Sequence, residues 1–152
     1  MRHHAQYIES PWAYTQLAEW SRAEDISVLL IEAYSDDAKD IIRAMVHGEP
    51  FYHFQTVRKK SLMEGMDFLK TSIVDAVILD LEVPDAQGND AIKVIRGLFP
   101  ELPIVVISST TNIEIAHQAF KSGAQEFLHK ETCDSLDLQQ SVYQAIYRKK
   151  TI

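Results

Sequence analysis

Hydrophobic residues occur in this chain as short unbroken runs separated by longer amphipathic stretches. Residues 28–31, 76–79 and 104–107 are continuous apolar runs with the length of a strand that is buried on both faces. A looser alternation over 51–57 and a short run at 126–129 predict two further strands. Because helical stretches separate these strands, the pattern predicts an α/β domain whose parallel sheet is covered on both faces.

Five stretches with helical spacing lie between and after these runs. Ser35 is expected to cap the first helix, and Gly48 lies past its end. Prolines follow the third helix, and Gly123 follows the fourth. The predicted helices cover residues 35–47, 61–69, 89–98, 112–122 and 135–148.

The first 25 residues precede the alternating pattern. We expect residues 1–25 to form a helical extension of a domain that covers 26–149. A Ser-Pro pair gives this extension a favourable helix start, and a broad apolar stripe follows, formed by Trp12, Leu17 and Trp20. Such a helix is expected to pack on the domain, or else against a partner or a second subunit.

Composition limits the classes of function. The chain has 152 residues, of which 46% are hydrophobic, enough for one domain with a full core. A net charge of −7 and the lack of a basic stripe argue against direct nucleic-acid binding. No apolar run approaches the roughly 18 residues that span a bilayer, and no signal-peptide pattern is present, so we expect a cytoplasmic protein without a membrane segment. The single cysteine, Cys133, excludes an intramolecular disulfide.

Four of the predicted strands are followed by residues suited to phosphate and cation chemistry, namely Glu32, Asp80, Ser108 and Lys130. The carboxyl ends of parallel strands share one edge of the sheet, where ligands bind in open α/β folds. A carboxylate such as Asp80 can attack a phosphoryl group, but the two negative charges repel. Lys130 and a Mg²⁺ ion held by Glu32 and Asp80 would offset this repulsion, and Ser108 would donate a hydrogen bond. The alternative for Asp80 is a residue that only caps the following loop.

Three motifs around these residues carry a resemblance to a known family. They are the loop at 79–88 with Asp80, the Val-Ile-Ser-Ser strand end at 106–109, and the segment 123–130 that leads to Lys130. In their order and spacing, the chain from about residue 26 to residue 149 resembles the receiver domain of two-component response regulators.

The resemblance implies a doubly wound, five-stranded parallel sheet in the order 2-1-3-4-5, the flavodoxin-like receiver fold, here with an extra N-terminal helix. It implies a phosphoprotein that accepts a phosphoryl group from a histidine kinase or phosphotransfer protein and signals to a downstream partner. The implied roles are phosphoacceptor for Asp80, switch hydroxyl for Ser108, phosphate-contacting lysine for Lys130, aromatic switch for Phe127 and first acidic residue for Glu32.

Two positions depart from the family pattern. Ala33 stands where the family has the carboxylate that binds Mg²⁺ directly, so we expect weaker Mg²⁺ binding by Glu32 and Asp80, with Glu82 as a further candidate ligand. The alternative for Glu82 is a solvated loop residue. Glu131 replaces a proline that commonly follows a cis bond. Because a cis bond before a non-proline residue costs about 2.5–4 kcal/mol, we expect a trans bond here.

The last predicted helix carries apolar residues on two faces. The face expected to pack on the sheet consists of Leu138, Val142 and Ala145. The opposite face, with Leu136, Tyr143 and Tyr147, is a candidate interface, because grouped exposed aromatics often mark contacts. Receivers commonly dimerise or dock partners through this part of the fold, so a homodimer is one expectation. The alternative is that the tyrosines lie along an ordinary surface.

Three functions are compatible with these residues. The leading interpretation is a single-domain receiver that is not an enzyme beyond its own phosphorylation and dephosphorylation. The first alternative is a pseudo-receiver, which keeps the fold but binds proteins without phosphorylation because Ala33 removes a ligand. The second is a phosphatase of the haloacid dehalogenase type, which is disfavoured because its nucleophile follows the first strand whereas Asp80 follows the third.

Overall fold

The computed structural model of the protein describes residues 25–48 and 53–151. Five strands and five helices alternate along these residues: β1 (Asp25–Ile31), α1 (Ser35–Val46), β2 (His53–Lys59), α2 (Leu62–Thr71), β3 (Ala76–Asp80), α3 (Asp90–Leu98), β4 (Ile104–Ser108), α4 (Ile113–Ser122), β5 (Glu126–His129) and α5 (Ser135–Thr151). All neighbouring strands are parallel, in the order β2-β1-β3-β4-β5. The predicted fold class is therefore confirmed.

Two predicted boundaries differ from the structure. The first strand, β1, begins at Asp25, one residue before the predicted start of the domain at residue 26. The helix predicted for the N-terminal extension lies outside the described residues. The second strand, His53–Lys59, continues two residues past the predicted end at position 57, and the predicted positions 51 and 52 lie outside the described residues. This strand lies at the edge of the sheet and pairs only with β1 among the described strands, so its side chains are mostly exposed or half-buried and its sequence pattern is weak.

The three central strands are buried on both faces, as their unbroken apolar runs predict. Every residue of 28–31, 76–79 and 104–107 is at most 2% exposed. Because successive side chains point to opposite faces, each strand contributes to two cores. One core packs against α2, α3 and α4, and the other against α1 and α5.

Local capping signals set several helix ends. The Oγ of Ser61 accepts a hydrogen bond from Glu64 N at 3.1 Å, which caps α2. Gly123 ends α4 with a φ of 118°, a left-handed conformation that favours glycine. The predicted cap at Ser35 is wrong, because Tyr34 holds the N-cap position of α1 without a side-chain cap and Ser35 is the first helical residue. Two acidic residues in the first turn, Asp36 and Asp37, favour this helix start instead.

Asp85 ties the turn after β3 to the start of α2. Its Oδ1 accepts a hydrogen bond from Leu62 N and its Oδ2 one from Met63 N, both at 2.9 Å. Burial by itself would raise the pKa of Asp85, but the backbone N–H donors outweigh it and lower that pKa below the ordinary value of 3.8. The carboxylate therefore satisfies two donors that every helix start leaves without an intrahelical partner.

Asp85→Ala is expected to lower the free energy of unfolding by about 1 kcal/mol at pH 7, the typical effect of losing a helix cap. Because the pKa is lower in the folded state than in the unfolded state, this contribution is present above 3.8 and is lost as the pH falls through the lowered pKa. Urea titrations of wild type and variant at pH 7 and pH 3 measure the difference. Asp67→Ala, at an exposed position in the middle of α2, is the control, and an equal Asp85→Ala loss at both pH values would contradict the assignment.

Candidate functional site

The four predicted site residues come together at the carboxyl edge of the sheet. Glu32 follows β1, Asp80 ends β3, Ser108 ends β4 and Lys130 follows β5. Glu32 and Asp80 are 0% exposed and Ser108 is 2% exposed. Two fully buried carboxylates are unfavourable unless cations or hydrogen-bond donors compensate their charge. The edge must therefore supply positive charge at this point.

Lys130 supplies part of that charge. Its Nζ lies 3.0 Å from Asp80 Oδ2, 3.1 Å from Glu32 Oε1 and 2.7 Å from Asp37 Oδ2. Burial alone would lower the pKa of Lys130, but the contacts with Asp37, Asp80 and Glu32 outweigh it and raise that pKa. The lysine thus remains an ammonium ion among three carboxylates.

Asp37 is a site residue that the sequence analysis missed. It lies in the first turn of α1, where an acidic residue is an ordinary feature of a helix start. Its contact with Lys130 joins positions 93 residues apart in the chain. No local motif signals such a contact, so only the packing of α1 on the sheet beside α5, which brings its first turn to the loop after β5, reveals it.

Glu32 is the residue whose charge is most affected by the site. Its Oε2 accepts a hydrogen bond from Tyr34 N at 3.1 Å, while Oε1 is in ion-pair range of Lys130 but accepts no well-directed hydrogen bond. Burial and the neighbouring Asp80 carboxylate raise the pKa of Glu32 to about 7. Near neutral pH this carboxyl group therefore retains a proton for part of the time.

Asp80 is held in one orientation by two contacts. Its Oδ1 accepts a hydrogen bond from Glu82 N at 2.9 Å, and its Oδ2 contacts Lys130. The side chain of Glu82 is exposed, so its role as a metal ligand stays a prediction. The carboxylate of Asp80 is thus positioned at the strand end with one oxygen beside a cation.

Two buried carboxylates determine how this site fits a divalent cation. Within residues 25–48 and 53–151, no three histidine, cysteine, aspartate or glutamate side chains are arranged to hold a metal ion. The two buried carboxylates of Glu32 and Asp80 do fit Mg²⁺, which accepts one or two carboxylates together with water and phosphate oxygens. Oε1 of Glu32 has no hydrogen-bond donor in this arrangement, which leaves it available to a cation. Ala33 provides no side-chain oxygen.

Arg58 fixes the loop that carries Glu32 and Ala33. Its Nε donates to Glu32 O and its Nη2 donates to Ala33 O, both at 2.9 Å. The guanidinium reaches this loop from β2, the edge strand that pairs with β1. Arg58 is a second supporting residue that the sequence pattern did not single out, because an arginine in an edge strand commonly faces solvent.

The domain matches a known protein family over most of its length. A model of the response regulator receiver domain matches residues 28–143, which is more than half of the chain. The chain belongs to this family. The doubly wound sheet is therefore that of a receiver domain.

Two bacterial regulatory proteins are similar in sequence to this chain. Regulatory protein LuxO of Vibrio vulnificus (strain YJ016) is 34% identical over 83 residues, 55% of this chain and 18% of LuxO. Cell cycle transcriptional regulator CtrA of Caulobacter vibrioides (strain NA1000 / CB15N) is 32% identical over 103 residues, 68% of this chain and 43% of CtrA. The chain thus spans less than half the length of these relatives.

Solved structures show the same fold. A response regulator receiver domain protein from Clostridium thermocellum has a TM-score of 0.68 and 24% identity, covering 83% of this chain and 98% of that chain. The signal receiver domain of the putative response regulator NarL from Mycobacterium tuberculosis has a TM-score of 0.71 and 19% identity, covering 82% and 98%. At these identities the likeness concerns the fold.

The receiver's predicted switch residues lie next to the acidic edge. Ser108 Oγ accepts a hydrogen bond from Thr110 N at 3.1 Å. Phe127 is half-buried and borders a cavity of about 430 Å³, which Thr110, Ile113 and Ala116 also line. The described residues contain no cis peptide bond, so the bond before Glu131 is trans, as predicted. There is open space beside Phe127 on the side of the loop that follows Ser108.

Helix α5 has the two faces that its sequence predicts. The predicted inner face is buried, with Leu138, Val142 and Ala145 each at most 1% exposed. Leu136 is 62% exposed and Tyr147 is 54% exposed, while Tyr143 is half-buried and stacks on Tyr147 with ring centroids 6.1 Å apart. The candidate contact surface is therefore accessible, and its binding role stays a prediction. None of the helices described has the length and apolar character needed to cross a membrane.

Proposed function

We propose that this receiver accepts a phosphoryl group on Asp80 from a histidine kinase or a phosphotransfer protein, and signals by a change of its surface. The contact between Asp80 Oδ2 and Lys130 Nζ, at 3.0 Å, is the observation that carries the proposal. It places a buried nucleophilic carboxylate beside a cation that can bind the incoming phosphoryl oxygens. A cytoplasmic location and a chemistry limited to the protein's own phosphorylation and dephosphorylation are parts of this proposal.

The proposed transfer uses the residues at the edge in distinct roles. A carboxylate oxygen of Asp80 forms a bond to phosphorus while the bond from phosphorus to the donor's imidazole nitrogen breaks; that nitrogen keeps the electron pair and takes a proton from water. Lys130 stabilises the charge on the phosphoryl oxygens, and the Ser108 hydroxyl donates a hydrogen bond to one of them. Mg²⁺, held by Glu32 and Asp80, would offset the repulsion between the acceptor and the phosphoryl group.

Labelling by a small phosphodonor tests the proposal. The protein is incubated with acetyl phosphate, with and without Mg²⁺, and its mass is measured intact. We expect one bound phosphoryl group, and its incorporation should depend on Mg²⁺. Hydroxylamine should remove it, because hydroxylamine is a nucleophile that cleaves acyl phosphates. Reduction with borohydride followed by peptide mapping identifies the modified residue, which should be Asp80.

The same experiment separates the proposal from the pseudo-receiver alternative. Ala33 leaves the acidic edge without one carboxylate, and this departure is the observation that favours the alternative. A folded protein that remains unlabelled at saturating Mg²⁺, under conditions in which an ordinary receiver is labelled, would support phosphorylation-independent binding.

Ala33→Asp is expected to tighten Mg²⁺ binding by about tenfold or more, since it adds a charged oxygen ligand to a cation otherwise covered by water. Titration calorimetry on the unphosphorylated protein measures the affinity directly. Ala33→Asn is the matched control, because it adds an uncharged oxygen of similar size and should give a smaller gain. An unchanged affinity in Ala33→Asp would show that the site lacks no ligand at this position.

We expect phosphorylation to alter association through α5. Beryllofluoride, a phosphoryl mimic formed in solution from beryllium and fluoride salts, should strengthen self-association of the wild type. The joint variant Tyr143→Ala/Tyr147→Ala should weaken it by about tenfold, the effect of removing buried aromatic contacts. Ser108→Ala should reduce the response to the mimic without reducing basal association. Sedimentation measures each case, and Leu98→Ala, an exposed position on α3, is the control. Equal association of all variants would leave α5 an ordinary solvent-facing helix.

A further inference from the structure

The Asp37 carboxylate contacts Lys130 more closely than either of the two buried carboxylates does. Nζ of Lys130 is 2.7 Å from Asp37 Oδ2, compared with 3.0 Å to Asp80 Oδ2 and 3.1 Å to Glu32 Oε1. Asp37 reaches the ammonium from the first turn of α1, whereas the other two carboxylates belong to strand ends. Ala33 has no carboxylate to offer, so the third negative charge beside Lys130 comes from the helix.

Most of the acceptors around the ammonium of Lys130 are already in place. Of its three N–H donors, two are directed at Asp37 Oδ2 and Asp80 Oδ2, while Glu32 Oε1 lies in ion-pair range without accepting a well-directed hydrogen bond. A phosphoryl group on Asp80 adds negatively charged oxygens beside this single ammonium and therefore competes with the contacts already present. The contact that is lost must be the one whose oxygen can be solvated most easily.

Exposure distinguishes the three carboxylates. The side chains of Glu32 and Asp80 are 0% exposed, so an oxygen released there would stay buried without a partner, which is costly. The side chain of Asp37 is 43% exposed, so water can hydrate its carboxylate as soon as the ammonium leaves. Release of Asp37 is the least costly of the three exchanges.

We infer that Asp37 is a positioning residue for Lys130, whose ammonium it binds while Asp80 is unmodified and from which it is displaced when Asp80 carries a phosphoryl group. This inference rests on the proposed phosphorylation of Asp80. The exchange itself is non-covalent, since one ion-pair contact of the ammonium is replaced by another. Asp37 therefore competes with the phosphoryl group and lowers the apparent affinity of the site for it.

The exchange also changes how α1 is attached to the domain. Asp37 and Lys130 both line a cavity of about 470 Å³ bounded by α1, the loop after β5 and the start of α5. At the other end of α1, Gln139 Nε2 donates to Ala44 O at 2.8 Å and to His47 O at 3.0 Å, which ties that end to α5. Loss of the Asp37 contact therefore frees only the first turn of the helix from the phosphorylation site.

Affinity for beryllofluoride at saturating Mg²⁺ tests the competition. Asp37→Asn should bind the mimic about fivefold more tightly, the effect of removing one partly exposed competing ion pair. Asp37→Glu retains the carboxylate and should stay close to the wild type. Asp40→Asn removes the same charge from the same helix at an exposed position and should change the affinity by less than about twofold.

The effect of Asp37→Asn should depend on Lys130, and this dependence distinguishes the proposed exchange from a general effect of charge. In a Lys130→Met background, Asp37→Asn should no longer affect affinity, because the contact it removes does not exist there. In protein labelled with carbon-13 at the lysine ε position, the Lys130 resonance should differ between wild type and Asp37→Asn without the mimic. The two resonances should converge once the mimic is bound, since Asp37 no longer contacts the ammonium in either protein.

The outcomes separate failure of this inference from failure of the proposed function. If the wild type is labelled at Asp80 but Asp37→Asn binds the mimic no more tightly, the exchange is overturned while the phosphoacceptor role stands. The exchange is also overturned if the effect of Asp37→Asn persists without Lys130. If no protein is labelled and none binds the mimic, the phosphoacceptor function falls and the exchange falls with it.

Discussion

Asp80→Asn is expected to abolish labelling by acetyl phosphate while leaving the domain folded. The amide is nearly isosteric with the carboxylate but is a poor nucleophile. Its oxygen can still accept the hydrogen bond from Glu82 N that Asp80 Oδ1 accepts. Removal of one of three clustered carboxylates also relieves repulsion, so the free energy of unfolding should fall by less than about 1 kcal/mol, or rise.

The measurements are intact mass after labelling and the thermal unfolding midpoint. Asp75→Asn is a matched control, because Asp75 precedes the same strand and its carboxylate accepts a hydrogen bond from Ser27 N at the opposite edge of the sheet. This control should be labelled like the wild type. A labelled Asp80→Asn protein, or one that unfolds at much lower temperature, would count against Asp80 as the phosphoacceptor.

Arg96→Lys is expected to lower the free energy of unfolding by about 3 kcal/mol, because several charged hydrogen bonds to partly buried acceptors are lost together. The Nη1 of Arg96 donates to the carbonyl oxygens of Phe99, Pro100 and Leu102 at 3.3, 2.9 and 2.7 Å. Its Nη2 donates to Gly123 O at 2.6 Å and to Gln125 Oε1 at 3.2 Å. A single lysine ammonium cannot reach acceptors on both sides of this fork.

Urea unfolding of Arg96→Lys and wild type measures this loss. Arg43→Lys is the control, since Arg43 forms an exposed pair with Asp40 and should cost less than about 0.5 kcal/mol. The acceptors of Arg96 lie on the loops that enter β4 and β5, away from Asp80, so the folded variant should still be labelled. A stability equal to that of the wild type would show that this guanidinium is not an anchor of these loops.

Much of the fold could be predicted because its signals are local. The unbroken apolar runs over 76–79 and 104–107 indicated strands buried on both faces, and the structure buries them completely. The buried face of α5 followed from helical spacing. The end of the edge strand β2 was predicted two residues too early because a half-exposed strand leaves a weak pattern. The Ser35 cap was wrong because Tyr34 ends the loop before α1.

The sequence by itself determined that Glu32, Asp80, Ser108 and Lys130 share one edge, because parallel strands align their carboxyl ends whatever the details of packing. Only the tertiary structure decided which other groups join them. Asp37 reaches Lys130 across 93 positions and Arg58 reaches Glu32 O across 26. Such contacts depend on how far a helix or an edge strand lies from the site. Spacing along the chain does not encode that distance, since it is set by side chains packed between the layers.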